Sequence, residues 1–204
     1  MLKVYGFLAS INVRKVLWAA GEAGLPVHRE EWGGAGRSLA DPEFATLSRF
    51  AVVPVIDHDG VIMRESNTIV RYLAAVQGRT DLLPATPRDR AAVETWMDWQ
   101  ATDLNTSWRP AFHSLMRGYK ATPEAIAASE AAWTKNIGHL EAHLSASRYV
   151  AGDTFTVADI CIGLALHRWV GTPIAHPHFP NCNRYYDLIR SRPAFIAYGE
   201  PGGP

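Results

Sequence analysis

Cysteine is nearly missing from this chain: among 204 residues there are two, Cys161 and Cys182. They form no CxxC pair, which speaks against a disulfide scaffold and against redox chemistry through a protein thiol; two isolated thiols suit a reducing cytoplasm. An excess of charge of either sign is missing too. Twenty basic residues balance twenty acidic ones, with no Lys/Arg-rich run, so nothing marks a nucleic-acid backbone or an anionic membrane as partner. No apolar run approaches the length of a membrane span, because the longest, residues 157–166, is interrupted by Asp159. The opening Met1-Leu2-Lys3-Val4-Tyr5-Gly6 enters a strand-like pattern directly, without a basic region, an apolar region and a cleavage site, so no export signal is expected. The eight histidines show no metal-ligand spacing such as HExxH, and no metal is expected. Internal repeats are lacking, as is low complexity beyond a short glycine-rich tail. Small molecules are left as the expected partners.

What is present suits a folded chain with a substantial core: 48% apolar and 20% charged residues. The length fits two small domains. Residues 2–5 read as a strand, after which Val13, Val16, Leu17 and Ala20 fall at i, i+3, i+4 and i+7, the apolar stripe of a helix that starts near Ser10. That helix should stop around residues 21–24, before Leu25-Pro26, and residues 27–30 form a second strand. Residues 33–47 read as loop with one short helix. Residues 52–56 and 61–63 then pair as a hairpin whose turn is marked by Asp59-Gly60. From Ser66, the positions Ile69, Val70, Leu73 and Val76 make a further helix, with Gly78 as its terminating residue. The order is βαβ(α)ββα.

Residues 80–87, with two prolines, read as a linker, and every strongly periodic segment beyond is helical. The expected division is therefore 1–80 and 88–204. Val93, Trp96, Met97, Gln100 and Leu104 mark one long helix; Thr122-Pro123 starts another with the stripe Ile126, Trp133, Ile137, Leu140, Leu144. Thr156 and Asp159 are spaced as N-cap and N3 of a third, with Phe155 and Ile160 placed to close over its start. That helix is apolar nearly all round, as at the centre of a bundle, and Asp159 reads as a capping acid rather than a catalytic one.

Three places in the first eighty residues share a kind of position: Ser10-Ile11-Asn12 at a strand-to-helix turn, Val53-Pro54 at a strand start, and Glu65-Ser66 at a helix start. In that order, on that frame, and followed by Gly152-Asp153-Thr154-Phe155-Thr156-Val157-Ala158-Asp159, the chain resembles the cytosolic glutathione transferases over nearly its whole length. Ser10-Ile11-Asn12-Val13-Arg14-Lys15-Val16 is similar to the first turn of the bacterial and theta-like members that use a serine. The resemblance implies an α/β thioredoxin-like N-terminal domain that binds glutathione, and an all-α C-terminal helical bundle that completes a pocket for an apolar electrophile. It also implies a cytoplasmic homodimer with a role in detoxification, and glutathione as co-substrate.

A hydroxyl at a helix N-terminus can donate to a thiolate, and the positive helix end favours the anion. Ser10 is that hydroxyl; the alternative is that it only caps its own helix. The Asn12 amide can support or replace it, while Tyr5, inside a strand, reads as packing. The resemblance implies a cis bond at Val53-Pro54 that exposes the Val53 backbone to the cysteinyl unit of glutathione; an ordinary trans proline at a strand edge is the alternative. Ser66 and the first amides of its helix would hold the γ-glutamyl carboxylate, with Glu65 facing the ammonium.

One departure stands out. Where many relatives read Asn-Pro-Asn-Gly-Lys/Arg before the Val-Pro, this chain has Ser48-Arg49-Phe50-Ala51-Val52, so the usual base for the glycyl carboxylate is missing, and Arg37, Arg49 or Trp32 is expected to substitute. Trp108, Phe112, Leu115, Met116, His167 and Trp169 are candidates to line the electrophile pocket, with core packing as the alternative for each. Two rival readings remain: a ligand-binding protein on the same fold without turnover, and a glutaredoxin-like reductase. The reductase would need a cysteine where Ser10 stands.

Overall fold

The computed structural model describes residues 1–204. It divides into two compact units, Met1–Leu83 with Arg192–Gly203, and Pro84–Ser191 with Pro204.

The first unit follows the order read from the sequence. Strand β1 (Leu2–Tyr5), helix α1 (Ile11–Ala23) and strand β2 (Val27–Glu30) form a βαβ unit, with β1 and β2 parallel. Gly24 ends α1 in the left-handed conformation, at φ 73°, a region that costs glycine nothing. Helix α2 (Pro42–Leu47) is capped by Asp41, whose carboxylate accepts from Glu43 N at 2.8 Å. Strands β3 (Val55–His58) and β4 (Val61–Arg64) make the antiparallel hairpin. Its two turn residues, Asp59 and Gly60, sit at φ 52° and 88°, and Asp57 accepts from Gly60 N at 2.8 Å. Helix α3 (Ser66–Val76) follows. The sheet order is β2-β1-β3-β4, leaving β4 as an edge.

Side-chain alternation divides β1. Leu2 and Val4 share one face, while Tyr5 enters a cluster with Trp32, Phe44 and Val55. The reading of Tyr5 as packing agrees: it is buried, and burial followed by the charge of Glu30 pushes its phenol pKa up. Helices α1 and α3 pack against each other, burying Val13, Val16, Leu17, Ile69, Val70 and Leu73.

The named elements of the second unit are all helical. Helix α4 (Pro87–Trp99) runs into a widened π turn, Gln100–Leu104, and then α5 (Asn105–Ser107), so the single long helix expected here contains one loosened turn. Helix α6 (Arg109–Arg117) ends at Gly118 in the left-handed region. Helix α7 (Pro123–Leu144) starts where Thr122-Pro123 places it, with Thr122 Oγ1 accepting from Ala125 N at 3.2 Å. Helix α8 (Val157–Val170) is the buried central helix, and α9 (Pro180–Arg190) has its Asn181 and Cys182 amides donating to the Glu141 carboxylate. No helix is long and apolar enough to cross a membrane.

One assignment changes. The sequence division gives residues 192–203 to the helical domain, whereas in the structure Arg192–Gly203 groups with the first unit. Its last turn, Phe195–Gly199, packs on α1.

Candidate functional site

The register of the sheet decides what meets at its end. Tyr5 pairs with Glu30 and with Val55, and Val55 pairs with Arg64. Four chain segments therefore leave or enter the sheet at one edge: the turn to Ser10 after β1, the segment to Trp32 after β2, Val53-Pro54 before β3, and Glu65-Ser66 after β4. Each of the three sequence candidates is within a few residues of that edge.

Ser10 occupies the N-cap position of α1, at φ −82° and ψ 114°, and its side chain makes no capping hydrogen bond. The helix is closed instead by the backbone: Arg14 N donates to Ser10 O at 3.1 Å. Asn12 and Ser66, distant in sequence, meet, with Ser66 Oγ donating to Asn12 Oδ1 at 3.3 Å. The group Asn12 has left to offer an anion is its NH₂ end. One turn further along, the buried Lys15 donates from Nζ to Asn67 Oδ1 at 3.0 Å, a second tie between α1 and α3. The sequence reading missed that tie, although a lysine on the buried face of an amphipathic helix signals a fixed acceptor.

The Val53-Pro54 bond is cis. The ladder of β3 begins at Val55, so the amide and carbonyl of Val53 lie outside it. Glu65 is the N-cap of α3 and stands at φ 69°, ψ 104°, a conformation that side-chain-bearing residues avoid. Its carboxylate pairs with the neighbouring Arg64. Such strain tends to collect where function fixes the backbone.

The two arginines offered for the glycyl end differ in what holds them. Arg37 is engaged: it pairs with Glu43 and Asp41, and its guanidinium lies 3.8 Å over the Trp32 ring. The Glu43 hydrogen bond raises its already high pKa. Arg49 is exposed and borders an open cavity of about 350 Å³ lined also by Leu47, Phe50, Ile62, Met63 and Arg64. Trp32 is excluded from a surface role, being fully buried. Ala51, where the related pattern has glycine, is at φ 47°, so the loop keeps the left-handed turn without the residue that makes it easy. Val52, where that pattern has a base, is 48% exposed.

The aromatic candidates of the helical unit differ in burial and in what they touch. Trp108 and Phe112 are buried edge to face at 5.4 Å, with the Arg168 guanidinium 4.5 and 4.2 Å from their rings. Trp169 is buried against Phe179, and His167 Nδ1 is 2.6 Å from the Tyr186 hydroxyl. Leu115 is exposed and Met116 half-buried. A cavity of about 200 Å³ in this unit is lined by Thr95, Trp96, Trp99 and His139.

A thioredoxin-like unit with its candidate site at the end of the sheet, followed by a helical bundle, defines the class of protein. Residues 4–80 match the family model of the glutathione S-transferase N-terminal domain, and residues 123–188 that of its C-terminal domain. Glutathione S-transferase GstB of Escherichia coli is 32% identical over 201 residues, 95% of each chain. Glutathione S-transferase 3 of Zea mays is 31% identical over 207 residues, 95% of this chain and 91% of its own. The theta-class glutathione S-transferase of Xanthomonas axonopodis pv. citri, solved with glutathione bound, superposes with a TM-score of 0.92 at 32% identity, covering 98% of this chain and 97% of that one. The chain belongs to the glutathione S-transferase family and is an enzyme of that class, a glutathione transferase.

Proposed function

We propose that this protein binds glutathione at the end of the first unit's sheet, holds its thiol as the thiolate through Ser10 with Asn12 beside it, and transfers it to a small apolar electrophile. The observation that carries this reading is the shared edge: the α1 N-terminus, the free Val53 backbone and the start of α3 all reach it. Thiolate at Ser10, cysteinyl backbone along Val53 and γ-glutamyl carboxylate at Ser66 and the α3 amides make one continuous binding line. Glu65 takes the ammonium, in exchange for Arg64. Of the two arginines, Arg49 is the freer for the glycyl carboxylate, since Arg37 would first have to leave two carboxylates. The working division is 1–80 for glutathione and 88–204 for the electrophile, apart from the segment 192–203 that returns to the first unit, with Trp108, Phe112, Leu115, Met116 and His167 as its candidate contacts and the protein in the cytoplasm.

Retention on immobilised glutathione, followed by turnover of an aryl halide, tests the reading. Retention with turnover is expected. Retention without turnover would favour a ligand-binding protein on the same fold, a reading that the uncharged Val52 supports; neither would remove the site.

Glu65→Ala and Arg49→Ala should each weaken glutathione binding by roughly fivefold or more, the scale of one lost charge-assisted bond. Calorimetry showing native affinity for either variant would remove that residue from the line.

A homodimer is part of the same proposal. The edge strand β4 and the preceding loop expose Val61, Ile62, Phe50 and Val52 together, and an unpaired apolar edge of this kind is covered in a stable protein. Sedimentation should give a dimer at micromolar concentration. A persistent monomer would refute it, and Ile62→Lys should weaken a dimer built on this face.

A further inference from the structure

The C-terminal segment Arg192–Gly203 touches α1 at both ends and along its length. At the far end, Arg192 donates to both oxygens of Glu22 at 2.7 and 2.6 Å, and Glu22 also accepts from Trp18 Nε1 at 2.9 Å. Midway, Phe195 meets Trp18 edge to face at 5.1 Å. Tyr198 lies so close to Gly21 that a Cβ there would stand 2.9 Å from its ring.

At the near end the segment brackets Ser10. The buried Arg14 donates from Nη1 to Gly199 O at 2.7 Å, and Arg14 N makes the first helical hydrogen bond, to Ser10 O. On the other side of Ser10, Gly202 lies against the Leu8-Ala9 peptide: a Cβ at Gly202 would be 2.5 Å from Leu8 O and 3.2 Å from Ala9 N. The tail thus holds the peptide just before Ser10 and, through Arg14, the turn just after it.

From this geometry we propose that the segment 192–203 is a positioning clamp for Ser10, with Arg14, Gly199 and Gly202 as its working contacts. The proposal rests on the reading of Ser10 as thiolate donor. A hydroxyl that must meet a sulfur anion at hydrogen-bond distance loses most of its effect when its backbone shifts by a few tenths of an ångström to one ångström. The clamp removes that freedom from a turn whose hydroxyl is not tied down by capping its own helix.

Two neighbouring glycines separate positioning from general stability. Gly202 and Gly203 both have positive φ, 101° and 76°, so alanine is strained at either, but a Cβ at Gly203 meets nothing within 4 Å. In Gly202→Ala the midpoint of the pH profile of kcat/KM for the electrophile, measured at saturating glutathione so that the enzyme–glutathione complex is the titrating species, should move up by about half a unit or more, because less stabilisation of the anion raises the bound thiol's pKa. Gly203→Ala should keep the native midpoint. Loss of folded protein alone would scale the activity without moving the midpoint. Ser10→Ala is measured alongside, and with it in place Gly202→Ala should add no further shift. If Ser10→Ala moves the midpoint and Gly202→Ala does not, or if Gly203→Ala moves it equally, the clamp is wrong while the donor stands. If Ser10→Ala itself leaves the midpoint in place, the donor assignment fails and the clamp falls with it.

Discussion

Asp159→Ala should cost the protein about 3 kcal/mol or more, at the upper end of what a single substitution ordinarily does to stability. Asp159 is fully buried, and its carboxylate accepts from four donors: Val150 N and the Tyr185 hydroxyl at 3.0 Å on Oδ1, Thr156 N at 2.8 Å and the Thr156 hydroxyl at 3.2 Å on Oδ2. Alanine removes the acceptor from all of them. The two backbone amides and the buried Tyr185 hydroxyl have no water to turn to, and each unsatisfied group costs about 1–3 kcal/mol. Against a total stability of about 5–15 kcal/mol, that loss should be plain in urea unfolding. A change below about 1 kcal/mol would mean that the neighbouring chain finds other acceptors and the cap is dispensable.

The same carboxylate makes a pH prediction. Burial pushes its pKa up to about 6 from 3.8, with the hydrogen bonds from Val150, Thr156 and Tyr185 opposing the rise. Its folded form holds a proton more tightly than the unfolded chain does. The stabilising contribution of protonation is therefore complete below about pH 4, is lost as pH rises through about 6, and is constant above. Asp159→Asn, which cannot titrate, should show a flatter stability curve between those values than the native protein.

Asp159 also shows why much of this fold is legible in the sequence. Its spacing from Thr156, the apolar residues on either side and the all-apolar helix that follows are local signals, and one short segment contains them all. The Asp59-Gly60 turn, the Thr122-Pro123 start and Gly78 after α3 are local in the same sense. The candidate site is half legible. Ser10, Val53 and Glu65 each sit at a recognisable element boundary, but their meeting depends on the pairing of Tyr5 with Val55 and of Val55 with Arg64, and register is a property of the assembled sheet. The Asn12–Ser66 contact, the engagement of Arg37 by Glu43 and the return of residues 192–203 to α1 span 54, 6 and up to 185 positions. No periodicity encodes contacts between separate elements. The burial of Trp108 and Phe112 is equally closed to pattern reading, because an apolar stripe on a helix looks the same whether it lines a pocket or fills a core.

With the electrophile varied at saturating glutathione, Ser10→Ala should raise the apparent pKa in the kcat/KM profile by about one to two units and lower kcat/KM near neutral pH by roughly 10- to 100-fold. A free thiol of the cysteine kind has a pKa near 8.5, so only a few per cent is thiolate at pH 7, and the thiolate is the nucleophile. Lowering that pKa by about two units requires about 2.7 kcal/mol of preference for the bound anion. Two sources are at hand at the start of α1. A hydroxyl donating to a charged sulfur is worth about 1.5–3 kcal/mol, and the positive end of a helix about 0.3–2. Together they reach the required figure without a protein base. Alanine removes only the first, so part of the acidification should survive, which is why the expected shift is one to two units and not the disappearance of activity. The fold should be untouched, since the Ser10 side chain makes no capping bond and the first turn is closed by Arg14 N on Ser10 O. Most of the glutathione affinity should also remain, because the γ-glutamyl end is held elsewhere, at Ser66 and Glu65. Asn12→Ala provides the internal comparison. Its Oδ1 accepts from Ser66, so its removal should affect affinity through Ser66 more than it affects the pH midpoint. Should Asn12→Ala move the midpoint while Ser10→Ala leaves it in place, the donor is Asn12. Should neither move it, thiolate stabilisation at the α1 N-terminus is not how this enzyme activates the thiol.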